Sequence, residues 1–264
     1  MPLLPPLPLP PPPDAVVLSR LLRDRQRDHR ALAVLLDPDN VSLEAAAYLV
    51  RLSYRHPVDY FFVGGSLVTS ARQGPLLDLL RREAAAPVVL FPSSPTHIDR
   101  RANALLLLSL ISGRNPELLI GHHVVAAPLL QASGLELLPT GYMLVDTGQP
   151  TTASYVSNTQ PLPADKPAIA ACTALAGEQL GLRLTYLDGG SGAQRPVATG
   201  LIRAVRAAVR GPLIVGGGLD SATKISQALS AGADVVVVGN HLEIEPDFLS
   251  EAVAAVRGFV PGGA

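Results

Sequence analysis

Three apolar runs late in this chain each end in a glycine-rich turn: LTYLDGGSGA at 184–193, PLIVGGGLDS at 212–221 and DVVVVGNHLE at 234–243. Each run lacks the polar alternation of a half-solvated strand, so it reads as a parallel strand buried on both faces. Parallel strands need crossovers, and helical patterns at about 196–210 and 221–230 separate the runs. Glycine lets backbone N–H groups approach a ligand closely, and the N-terminus of a following helix adds partial positive charge. Three such turns at one end of a sheet make a cup for phosphate.

The rest of the chain repeats the alternation. Strands are predicted at 31–37, 59–65, 87–92 and 104–111, and a fifth within 135–146. Helices are predicted after Ser42, over 75–84, over 116–133 with a kink or break at Pro128, over 167–180, and over 246–257. Only SSPTHIDRRAN separates the third and fourth strands, and its prolines fit no regular helix. The expectation is an α/β fold: a modified TIM (β/α)8 barrel whose third helix is missing or replaced by an extended segment. A length of 264 residues suits one such barrel over 15–264, preceded by a Pro-rich flexible tail at 1–14. The polar excursion TGQPTTASYVSNTQPLPADK reads as an active-site loop.

Composition excludes several classes. Hydrophobic residues make up 48% and charged residues 16%, which argues for a large core. A net charge of −1 presents no basic surface for nucleic acid. ALLLLSLI is too short to span a bilayer, so membrane contact is peripheral at most. The single cysteine, Cys172, forms no internal disulfide and fits a cytoplasmic protein; its Ala-rich helix suggests a small buried residue. His97, His122 and His123 have no cysteine partners at zinc-site spacing.

LLDPD puts Asp37 and Asp39 at the carboxyl end of the first strand, the functional face of a barrel. The same residues can serve an Asx-Pro turn and cap the helix, and this segment alone leaves both roles open.

The segments LLDPDN, FFVGGSL, VVLFPSSPTHI, LLLLSLISGRNPELLIGHHV, LELLPTGYMLVD, YVSNTQPLP, YLDGGSGA, LIVGGGLDS and VVVVGN occur in that order. Together they resemble the geranylgeranylglyceryl phosphate synthases and the related heptaprenylglyceryl phosphate synthases, most closely the second of the two synthase groups. The resemblance implies a cytoplasmic, magnesium-dependent prenyltransferase of ether-lipid synthesis. The 3-hydroxyl of sn-glycerol 1-phosphate attacks C1 of a polyprenyl diphosphate, with geranylgeranyl diphosphate expected, and diphosphate leaves. It implies Mg²⁺ at Asp37 with Ser66, and leaves Asp39 as a supporting turn residue. It assigns glycerol phosphate to Tyr186, Leu187, Asp188, Gly189, Gly190, Ser191, Gly192, Gly217, Gly218, Gly239 and Asn240. Asp188 falls where relatives carry Glu, as the proton acceptor, and Asn40 falls where they carry a basic residue. A dimer, or a hexamer of dimers, is implied, with Tyr142 as an interfacial aromatic. Phe61, Phe91, Leu107 and Tyr142 are candidates for an apolar prenyl groove, and Arg114 for a diphosphate contact. Two other readings use the same cup: sugar-phosphate isomerase or lyase chemistry, and a phosphate-binding barrel left with weak or no activity by Asn40 and Asp188.

Overall fold

The structure is a computed structural model that describes residues 16–260, so the Pro-rich segment at 1–14 lies outside the described residues. Eight parallel strands close in sequence order, β1 (Ala31–Leu36) through β2 (Tyr60–Val63), β3 (Val88–Leu90), β4 (Ala104–Leu110), β5 (Glu136–Leu144), β6 (Leu184–Asp188), β7 (Leu213–Gly216) and β8 (Val235–Val238). β8 returns to β1 with Val34 opposite Val238. Because every pair is parallel, all the strands end at one rim.

The side chains form two layers. Ala33, Tyr60, Phe62, Leu106, Tyr186, Ile214 and Val237 fill the barrel, while their neighbours Val34, Phe61, Leu105, Leu187 and Val236 pack outward against helices. Double burial is why the strands read as continuous apolar runs.

The crossover helices are α2 (Leu43–Ser53), α3 (Gln73–Glu83), α4 (His122–Ser133), α6 (Pro167–Gln179), α7 (Thr199–Ala208) and α8 (Ala222–Ser230), and α10 (Phe248–Arg257) follows the last strand. Between β3 and β4 lies only a 3₁₀ turn, Pro95–His97, inside extended chain. The expected replacement of the third crossover helix is therefore present. α4 runs on through Pro128; the irregularity falls earlier, as a π-turn over Glu117–Gly121. Cys172 is exposed on α6, contrary to the burial expected of it, because Ala170, Ala174 and Gly177 form that helix's inner face.

Helix α1 (Val16–Gln26), which the strand–helix alternation does not foretell, packs at the amino-terminal end of the barrel. Val17 and Leu21 join the interior layer. The buried Glu136 carboxylate accepts the Val17 and Leu18 N–H groups at 2.8 Å each, which satisfies the start of the helix. This arrangement leaves the other rim for chemistry.

Candidate active site at the barrel mouth

The last three strands end side by side. Asp188 pairs in register with Gly216, and Gly216 with Val237. The Gly189 N–H donates to the Gly216 carbonyl at 3.0 Å. Gly217 has φ 86°, and a Cβ there would come within 2.7 Å of the Gly189 nitrogen, so these two turns touch because both lack side chains. Asn240 begins the short helix α9 (Asn240–Ile244), and its amide donates to Ser191 Oγ at 2.9 Å, closing the third side. A Cβ on Gly239 would sit 3.4 Å from that of Leu35, which fits the turn tightly beside β1. Gly190, Ser191, Gly192, Gly217, Gly218, Gly239 and Asn240 thus share one rim, as expected. Leu187 does not line it: its side chain is fully buried in the outer layer.

Tyr186 and Asp188 point into the barrel below the cup. Tyr186 stacks on Phe91 at 5.3 Å between centroids and meets Tyr142 edge-on at 5.4 Å. Asp188 is only 7% exposed, and burial raises its pKa against two stabilising hydrogen bonds. Its Oδ1 accepts the Gly190 N–H at 2.7 Å, and its Oδ2 accepts the Tyr142 hydroxyl at 2.5 Å. Tyr142 therefore sits inside the mouth rather than at a subunit interface, and the interfacial role expected of it is corrected.

Asp37 follows β1 on the same rim. Its Oδ1 accepts the Asp39 N–H at 2.9 Å and its Oδ2 the Asn40 amide at 3.1 Å. Burial raises its pKa. The Asp37 N–H donates to Glu243 of α9 at 3.2 Å, and burial raises the Glu243 carboxyl as well. A Cβ on Gly65 would lie 2.5 Å from Asp37 Oδ2, so that glycine leaves the carboxylate an open face, and half-buried Ser66 follows next in the chain. Two half-buried carboxylates, an open face and an adjacent hydroxyl suit a hard divalent cation. Asp39 turns away: it accepts the Thr69 N–H at 2.7 Å, the Thr69 hydroxyl at 2.9 Å and the Ser70 N–H at 3.0 Å. The Ser70 side chain foremost, then the Thr69 N–H, holds its pKa far below the usual range, and these bonds anchor the loop after β2.

An apolar groove of about 280 Å³ opens beside Gly65 and Ser66, on the β3–β5 side of the mouth. Phe91, Leu107, Leu108 and Tyr142 line it beside the extended segment that replaces a helix, and Leu118, Ala126 and Leu130 form its far wall. Phe61 is excluded from it, being fully buried in the outer layer. The long loop after β5 covers the mouth through α5 (Thr152–Ser157), whose Ala153 and Val156 reach the groove. Thr151 packs on Gly190, where a Cβ would meet its Cγ2 at 2.7 Å. Arg114 is exposed on the same side and donates to the backbone carbonyls of Ile111 and Gly113, not to a carboxylate.

Sequence reasoning missed Glu243 and Arg195. Glu243 stands three residues after Asn240, in the first turns of a helix too short to show periodicity. Arg195 places its guanidinium at the cup's edge, with Nε 3.4 Å from the Thr147 carbonyl.

Fold and mouth together define a (β/α)8 barrel with a glycine-lined cup, a pair of carboxylates and an apolar groove at one rim. The chain belongs to the PcrB family, whose sequence model matches residues 24–257. It is 57% identical over 240 residues to the geranylgeranylglyceryl phosphate synthase of Spirosoma linguale, covering 90% of this chain and 96% of that one. It is 48% identical over 232 residues to the synthase of the same name from Chitinophaga pinensis, covering 88% and 92%. Among solved structures it resembles the (S)-3-O-geranylgeranylglyceryl phosphate synthase of Thermoplasma acidophilum in complex with sn-glycerol-1-phosphate. That match has a TM-score of 0.86 and 28% identity, covering 92% of this chain and 99% of that one.

Proposed function

We propose that this chain is a prenyltransferase that joins the 3-hydroxyl of sn-glycerol 1-phosphate to C1 of a polyprenyl diphosphate, most simply geranylgeranyl diphosphate. The observation that carries the reading is the meeting, at one rim, of a glycine cup, a carboxylate site and an apolar groove. No sugar-phosphate reaction needs the groove. The family and its glycerol 1-phosphate-bound structural relative support the choice of acceptor.

In this reading Gly190, Ser191, Gly217, Gly218, Gly239 and Asn240 hold the phosphate through backbone donors and the Asn240 amide. Asp37 and Ser66 would hold Mg²⁺, which would supply charge neutralisation for the departing diphosphate. The groove takes the prenyl tail and excludes water from C1. Fixing both substrates across the mouth contributes much of the rate. Asp188 is the final acceptor of the proton, and burial makes its carboxylate more basic than usual.

Among the described residues no helix is long and apolar enough to cross a membrane. The cysteine content favours the cytoplasm, with the donor drawn from a membrane by peripheral contact. Exposed Ile120, Val124, Val125 and Leu129 along the π-turn and α4 support assembly into a homo-oligomer.

The test uses purified protein, Mg²⁺, radiolabelled glycerol 1-phosphate and prenyl diphosphates of several lengths. The expected result is an organic-extractable phosphate with geranylgeranyl diphosphate. No such product with any donor removes the assignment.

A further inference from the structure

Tyr142 is the residue that belongs to both halves of the mouth. Its ring lines the apolar groove and meets Phe91 edge-on at 5.6 Å. Its hydroxyl reaches the neighbouring strand, where Asp188 Oδ2 accepts it at 2.5 Å. The register explains the reach: Tyr142 pairs with Tyr186, two positions before Asp188, so both side chains face the axis and the phenol spans one strand rung.

Asp188 itself is poorly placed to meet a substrate hydroxyl directly. It is 7% exposed, its Oδ1 is committed to the Gly190 N–H, and its Oδ2 is covered by the phenol. Aspartate also reaches one methylene less far than glutamate. A hydroxyl poised between the cup and a carbon in the groove therefore finds the Tyr142 oxygen first.

We propose that Tyr142 is a catalytic residue: its hydroxyl takes the proton of the attacking 3-hydroxyl and passes its own proton to Asp188. The assignment rests on the prenyltransferase reading above. In the step, the C1–O bond to diphosphate breaks and diphosphate leaves with the electron pair. The glycerol oxygen forms the new bond to C1. Its proton moves to Tyr142 Oη as the phenol proton moves to Asp188 Oδ2, so tyrosine ends neutral and Asp188 ends protonated. Asp188 returns the proton to water when the products leave. Concerted transfer avoids a free phenolate, which this buried ring disfavours.

The test is a cycle of four proteins: the parent, Tyr142→Phe, Asp188→Glu and the double variant. Phenylalanine keeps the ring that packs on Phe91 and Tyr186. Steady-state kinetics with geranylgeranyl diphosphate and Mg²⁺ give kcat and the KM for glycerol 1-phosphate, and calorimetry gives glycerol 1-phosphate affinity. Tyr142→Phe is expected to lower kcat by about 100-fold or more, the scale of general acid–base catalysis, with affinity within about threefold of the parent. Asp188→Glu in the Tyr142→Phe background is expected to recover about tenfold or more, because the longer acid reaches the hydroxyl without a relay. A purely packing role predicts no such recovery. Tyr142→Phe with kcat near the parent's, a loss confined to KM, or no recovery in the double variant each overturns the relay. A parent without turnover removes the prenyltransferase reading and the relay with it; an active parent with an equally active Tyr142→Phe removes the relay alone.

Discussion

The backbone N–H of Asp37 donates to the Glu243 carboxylate at 3.2 Å, which ties the proposed cation site to the helix that opens at Asn240. The acceptor cup and the leaving-group site thus share a short piece of chain, α9. Groups that orient a metal ligand typically contribute 10–100-fold to metal affinity. Glu243→Ala is expected to weaken binding of Mg²⁺ with inorganic pyrophosphate by about tenfold. Glu243→Gln keeps an oxygen acceptor for the same N–H and is expected to lose less. Calorimetry with and without glycerol 1-phosphate checks both; equal affinity in the parent and Glu243→Ala refutes the link.

Asp188 gives the pH dependence a sign. Burial raises its pKa above that of an ordinary aspartate. The carboxylate must be ionised to receive a proton, so kcat falls as the pH drops through this raised value. The acid limb of the kcat profile is expected above the usual carboxylate range. Asp188→Asn keeps an oxygen for the Gly190 N–H but has no proton affinity, and is expected to lower kcat by about 10²–10⁴-fold. An acid limb unchanged by a variant that stays active would assign that titration to another group.

The barrel was legible because double burial leaves continuous apolar runs, as in VVVV at β8, and because SSPTHIDRRAN is too short and proline-rich for a crossover helix. The glycine cup was legible for a related reason: turns that touch backbone to backbone, as Gly217 does Gly189, exclude side chains. Helix α1 was hidden because its stabilisation is tertiary. Its start is satisfied by Glu136, more than a hundred residues away, and only Val17 and Leu21 bury fully. Glu243 was hidden in a five-residue helix. The role of Tyr142 depends on strand register across β5 and β6, which a linear sequence does not display; without it, an aromatic residue in an apolar strand reads equally as groove, core or interface.

Gly217 tests the cup. Its φ of 86° disfavours any L side chain, and a Cβ would stand 2.7 Å from the Gly189 nitrogen. Gly217→Ala is expected to cost roughly 1–3 kcal/mol of stability and to push the first two turns apart. Glycerol 1-phosphate affinity should fall by more than the affinity for Mg²⁺ with pyrophosphate. Thermal melting and calorimetry check the two effects separately. An unchanged glycerol 1-phosphate affinity would mean that this wall of the cup does not bind the phosphate.

The opposite end of the barrel provides a contrast in which stability, not chemistry, is at stake. Asp234 is buried just before β8 and its carboxylate meets Arg206 at 2.7 Å, Arg30 at 2.8 Å and Arg25 at 3.4 Å. It also accepts the Leu213 N–H at 2.9 Å, so one side chain pins β7, β8 and the segment entering β1. Removing it leaves Arg25 and Arg30 with only the exposed Asp28 and takes the buried anion from Arg206, and breaking a buried pair in this way costs about 3–5 kcal/mol. Asp234→Ala is expected to unfold at markedly lower denaturant or temperature, while the folded fraction keeps the parent's KM for glycerol 1-phosphate. Denaturant titration checks the first expectation and kinetics well below the melting point check the second. A change in KM comparable to that of Gly217→Ala would mean that the two rims are coupled through the strands, contrary to the separation of stability and chemistry expected of a barrel.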